Sequence, residues 1–158
     1  MAEFQVFPGV IIVHAVQGFL SLTARLMITG IFLASAVMNK IPNFSIVAEG
    51  MAEKGIPQPK ILLAGAIAFL ILGSVSLILG FKARWGALLL LIFLAAATYY
   101  FHAFWRVAPE ARGIELTNFL KNVALMGTML FFIANGPGPW SLDARQSTVG
   151  EAAEEDQT

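Results

Sequence analysis

The stretch ILLAGAIAFLILGSVSLILGF, residues 61–81, runs from end to end without a charged side chain. At about 1.5 Å per residue a helix of about 20 residues rises roughly 30 Å, the thickness of a bilayer's hydrocarbon core. Three further segments of similar length are predominantly apolar: GFLSLTARLMITGIFLASAV (18–37), WGALLLLIFLAAATYYFHAFW (85–105) and IELTNFLKNVALMGTMLFFIA (114–134). A soluble core helix rarely needs such length. The chain therefore reads as an all-α, polytopic membrane protein, an antiparallel bundle of four transmembrane helices.

Composition agrees. Of 158 residues, 58% are apolar and only 13% charged, a balance that suits a membrane protein better than a soluble domain. The formal net charge is zero, so no basic field points to nucleic acid. The absence of cysteine excludes disulfide exchange by this chain, and thiolate-held metal or iron–sulfur sites. Residues 1–16 carry Glu3 and no Lys or Arg, so the positive n-region of a signal peptide is missing and the first span is read as retained.

Three regions follow. Residues 1–17 form an N-terminal interfacial segment or an extension of the first helix. Residues 18–135 form the four-helix transmembrane domain. Residues 136–158 form a polar, acidic tail read as disordered, because Gly136–Pro137–Gly138–Pro139 stops the last span and five carboxylates follow. Between the first two spans, Asn43–Lys54 reads as a short interfacial helix. Phe44, Val47 and Met51 share one face and Ser45, Glu49 and Glu53 the other, with Asn43 placed to cap the start and Gly55 to end it. Four spans put both termini on one side, here called side A. The first and third connections lie on side B. Cation number favours side B as cytoplasmic (Lys40, Lys54, Lys60, Arg106, Arg112), whereas cation density in the tight turn with Lys82 and Arg84 favours side A, so the orientation stays open.

Polar side chains at membrane depth are costly without a partner or a role. In the last span Asn118, Lys121 and Asn122 share a stripe with Leu125. A lone snorkelling lysine would need no such company. The third span ends with Thr98, Tyr99, Tyr100 and His102; an aromatic belt accounts for the tyrosines alone. Asn39 and Lys40 close the first span on the same side, and Glu49 and Glu115 fall there too. Asn39, Lys40, Glu49, Tyr99, His102, Glu115, Asn118, Lys121 and Asn122 thus form a candidate polar pocket at side B. The cluster marks a place more than a chemistry: no covalently bound cofactor is expected, and a quinone or a lipid would be held there non-covalently. His14 and His102 lie about a membrane thickness apart, so they cannot share one haem, and no metal cluster is expected. Arg25 is different. It lies about 22 Å before Lys40 on a helix, short of the ~30 Å core. It reaches into the core from side A, snorkelling or pairing with backbone carbonyls or the hydroxyls of Ser74, Ser76 or Thr128. A structural clamp is favoured over a substrate contact.

Several pieces resemble the DoxX family of small four-helix membrane proteins. They are Arg25–Leu26…Gly30…Phe32–Leu33, then Lys40 and Phe44, Met51…Gly55–Ile56–Pro57, Leu79–Gly80–Phe81–Lys82–Ala83–Arg84, and Lys121–Asn122–Val123–Ala124–Leu125–Met126–Gly127. Together they cover about Leu20 to Phe132. The resemblance implies a multi-pass protein of a prokaryotic cytoplasmic (inner) membrane, tied to respiratory, sulfur or redox-defence oxidoreductases. It supplies no catalytic residue, and the chain is not expected to be an enzyme on its own. The leading expectation is a quinone-interacting membrane subunit, with Lys121, Asn118, His102 and Tyr99 as donors. The alternatives are a non-catalytic accessory subunit, packing other subunits or copies through small residues such as Gly65, Ala68 and Gly73, and a small-molecule transporter.

Overall fold

A computed structural model describes residues 8–146, with side chains from residue 12. It holds α1 (Pro8–Ala34), a π-helical segment (Ser35–Lys40), α2 (Phe44–Glu53), α3 (Pro59–Leu79), α4 (Ala83–Phe101), a 3-10 turn (Phe104–Arg106) and α5 (Pro109–Asn135). Four helices, α1 with its π extension, α3, α4 and α5, are long and apolar enough to cross a membrane. No strand occurs among the described residues. The exterior is greasy along its length: Phe19, Met27, Leu72, Ile92, Leu120 and Phe131 are all exposed. In water that would be a liability. In lipid it is required, because the helices satisfy their own backbone and only apolar side chains need face the acyl chains.

Pro59 opens α3, where a missing N–H costs nothing, and Gly80 closes it with φ +62°. α3 packs on α1 and α4, and α4 on α5. The α3–α4 contact is close because glycines face each other: a Cβ on Gly86 would collide with the Ser76 side chain and lie 2.9 Å from the Gly73 carbonyl oxygen. Around this seam Phe32, Leu70, Leu77, Leu90, Leu94 and Met129 form the core. A second cluster, Ala48, Met51, Ile56 and Leu63, seats α2 beneath α3. The expected apolar face of the connecting helix is thus the face that packs. Its expected cap is not made. Asn43 takes the N-cap position, but its Nδ2 donates to the Asn39 carbonyl at 3.0 Å, drawn back to the end of the π segment.

α1 runs unbroken from Pro8, so over residues 8–17 the chain takes the second of the two expected forms, an extension of the first helix; residues 1–7 lie outside the described part. The expectation for the other end needs correction. The stretch after Asn135 is not loose. Gly136–Ser141 folds back over side A, where Trp140 covers Gly18 and Ser141 is buried. The Asp143 carboxylate then accepts from the backbone N–H groups of Lys82 (2.8 Å) and Ala83 (3.0 Å) at the start of α4. The disorder expected over 147–158 lies outside the described residues.

Lys82 sits in the left-handed region at φ 48°, a conformation that costs a side-chain-bearing residue about 1–2 kcal/mol. The Asp143 bonds hold it there and satisfy donors that the helix cannot. Asp143→Ala is therefore expected to destabilise the bundle by about 1–2 kcal/mol, the usual loss for an N-terminal cap. The check is a lower thermal unfolding midpoint in mild detergent. An unchanged midpoint would mean that water replaces the carboxylate without loss.

Candidate functional site

Sequence alone has α1 ending as an ordinary helix. The chain instead widens over Ser35–Lys40 into a π-helix, whose hydrogen bonds span five residues, as in Ile41 N–H to Ala36 O at 2.9 Å. The wider turn brings side chains five apart onto one line. Lys40 Nζ accordingly donates to Ser35 Oγ at 2.6 Å, and its ammonium lies 5.3 Å above the Phe93 ring of α4. In an ordinary helix positions 35 and 40 would lie about 140° apart and could not meet this way.

This segment forms one wall of a cavity of about 680 Å³ shared by α1, the π segment, α2, α3, α4 and α5. Most of the lining is apolar, including Phe32, Met51, Phe69, Phe93 and Leu125. Its polar groups are Ser35, Asn39, Lys40, Tyr100, His102, Lys121 and Asn122, all toward side B. Two of them are cations, and no carboxylate lines the space.

Three local pairings hold the polar end. Asn122 is buried, and its Nδ2 donates to Thr98 Oγ1 at 3.0 Å, joining α5 to α4. Lys121 Nζ donates to Asn118 Oδ1 at 3.2 Å, one turn away on an exposed face. His102 follows the last residue of α4, and its Nδ1 lies 2.9 Å from a Glu115 carboxylate oxygen on α5. A carboxylate only accepts, so Nδ1 carries the proton and Nε2 is left to engage another group. The cavity thus offers ammonium, amide, hydroxyl and imidazole groups at one end of a greasy chamber. Its volume is that of a small-molecule site.

Of the nine predicted pocket residues, Asn39, Lys40, His102, Lys121 and Asn122 line this cavity. Glu115 and Asn118 stand behind it as partners of His102 and Lys121. Glu49 and Tyr99 do not belong to it. Glu49 is exposed on α2, whose cavity face presents Val47, Gly50 and Met51. Tyr99 is exposed and accepts a hydrogen bond from Arg106 at 3.2 Å, outside the chamber. Sequence reasoning missed Ser35 and Phe93. Neither carries a signal, since Ser35 reaches Lys40 only through the π turn.

Arg25 belongs to the other end. It is fully buried, and its guanidinium donates to four backbone carbonyls: Ser21 (3.3 Å), Ile78 (3.2 Å), Pro139 (3.4 Å) and Trp140 (2.7 Å). Carbonyls were one of the expected partner types; the hydroxyls are not used. Ser76 donates to the Phe81 and Lys82 carbonyls, Thr128 to its own helix, and Ser74 Oγ has no partner among the described residues. Among those residues no three His, Asp or Glu side chains gather as a metal set.

The sequence profile of the DoxX family matches residues 20–103, from within α1 to just past α4, and so includes the π segment and His102. The inner membrane protein YphA of Escherichia coli K12 is 30% identical over 131 residues, 83% of this chain and 93% of that protein. The inner membrane protein YqjF of the same organism is 27% identical over 122 residues, 77% of this chain and 88% of its own length. A surfeit locus protein 4 homolog of Schizosaccharomyces pombe is 30% identical over 71 residues, 44% of this chain and 24% of that protein. No solved structure matches the chain.

Proposed function

Because this chain belongs to the DoxX family, we propose that it is an inner-membrane subunit that binds a quinone in its side B cavity on behalf of an oxidoreductase partner. The observation that carries this reading is the chamber itself, greasy along its length and polar at one end. A quinone has a flat ring with a carbonyl at each edge and an apolar tail. It needs donors at interface depth and an apolar cleft below. Lys40, Asn39, His102 and Lys121 supply donors; Phe32, Phe69 and Leu125 supply walls. When bound, a quinone supplies the redox chemistry, which the chain's own residues do not. Their part is to orient the ring, exclude water and hold a proton at His102, whose Nδ1 is anchored by Glu115. The names of YphA and YqjF support placement in an inner membrane.

A short-chain ubiquinone or menaquinone analogue titrated into the purified protein should quench its tryptophan fluorescence saturably. Lys121→Met should weaken that binding about three- to tenfold, less than a fully desolvated charged hydrogen bond would lose, because Lys121 is exposed. Absence of saturable binding to the wild-type protein would overturn the reading. Pull-down in mild detergent with mass spectrometry should then recover an oxidoreductase subunit.

A further inference from the structure

A second concavity, of about 360 Å³, lies outside the cavity at the same end of the bundle. It forms where the end of α2 approaches the end of α4. Its walls include Lys54, Tyr99, Tyr100, Phe101, Ala103 and Arg106. The two cations come from segments far apart in sequence, so the fold assembles the notch, not a local basic run.

Both cations are held by rings. The Lys54 ammonium lies 5.3 Å above Phe101. The Arg106 guanidinium lies 5.0 Å above Tyr99 and donates to its hydroxyl. Among the described residues neither has a carboxylate within ion-pair distance; the ion pair found there is His102 with Glu115. Two cations that share a notch repel each other, and ring faces do not neutralise them. An anion between them would remove that repulsion. A phosphoryl group suits the place, since its oxygens can accept from an ammonium, a guanidinium and a phenol together.

The position points to the source. Ile41, Ile46, Ile61 and Trp105 are exposed at this end of the spans, which marks the boundary where apolar surface gives way to headgroups. We propose that the Lys54–Arg106 notch binds the phosphoryl group of an anionic phospholipid. The proposal stands on different residues from the quinone reading and does not depend on it.

The whole protein, purified in mild detergent and offered phosphatidylglycerol or phosphatidylcholine, is examined by native mass spectrometry. The wild type should retain phosphatidylglycerol roughly tenfold more than phosphatidylcholine, the preference that two surface cations supply. The double variant Lys54→Gln/Arg106→Gln should lose that preference. Both side chains are exposed, so the core is untouched. Lys82→Gln/Arg84→Gln removes the same charge from the opposite end and should keep it. Equal retention of the two lipids by the wild type, or equal loss in both double variants, would overturn the proposal. Excess inorganic phosphate separates the sources. Phosphatidylglycerol that stays bound assigns the notch to lipid. Displacement by phosphate in the wild type, absent in the notch variant, would overturn the lipid assignment in favour of a soluble phosphate.

Discussion

Arg25→Met should cost the bundle about 3–9 kcal/mol, because three carbonyls brought together by one guanidinium would each lose their donor at about 1–3 kcal/mol. Methionine fills much of the volume but offers no N–H. The carbonyl of Ile78 is among the last of α3 and has no partner within its helix. Those of Pro139 and Trp140 lie on the returning segment, where no regular structure can satisfy them. Arg25→Lys should fall between, since one ammonium cannot copy the fork that reaches three segments at once. Size-exclusion chromatography in mild detergent should show little folded Arg25→Met protein. Where some folds, trypsin should cut at Arg145 faster than in the wild type, because the returning segment is no longer pinned. A variant with the wild-type unfolding midpoint and protease pattern would refute the clamp.

The same residue shows how far the sequence could be read. Arg25 was visible as a charge too deep for its span, and backbone carbonyls were among its expected partners. Their location was not visible. Gly136–Pro137–Gly138–Pro139 reads locally as a stop before an acidic tail, and nothing in the order of residues says that Trp140 will cover Gly18 or that Asp143 will reach the start of α4. Such contacts join positions more than a hundred or about sixty residues apart, and periodicity carries no information about them. The spans themselves were legible because lipid imposes one rule along their whole length. The connecting helix was legible because its apolar face must pack, as Met51 does.

The side B site was legible as a place and less so as an arrangement. Helical spacing correctly put Asn118 beside Lys121, since the three-residue step is the ordinary helix neighbour distance. It also gave Lys121 the leading role. The structure moves weight to Lys40, which the sequence left at the span's end. The reason is the π turn: one extra residue per turn rotates Asn39 and Lys40 relative to α1, and no composition signal announces it. Tyr99 fell outside because it faces Arg106 rather than the chamber.

That shift sets the expectation for Lys40→Met. Lys40 is half-buried, tied to Ser35 at 2.6 Å and set above Phe93 on the cavity wall. Holding an ammonium among apolar walls costs desolvation energy that its one hydroxyl partner only partly offsets. Methionine has similar length and no charge, so the variant should fold as well as the wild type or better. Quinone binding should respond in the opposite direction. A charged hydrogen bond to a carbonyl in a partly dry site contributes about 1.5–3 kcal/mol, so affinity should drop roughly ten- to a hundredfold. Ser35→Ala keeps the charge but frees it from its tether, and should weaken binding only a few-fold. The two readouts moving apart are what distinguish a ligand-binding lysine from a structural one. A lysine that merely braces the π turn would give a lower unfolding midpoint in Lys40→Met with unchanged quinone titration, and that result would remove Lys40 from the site.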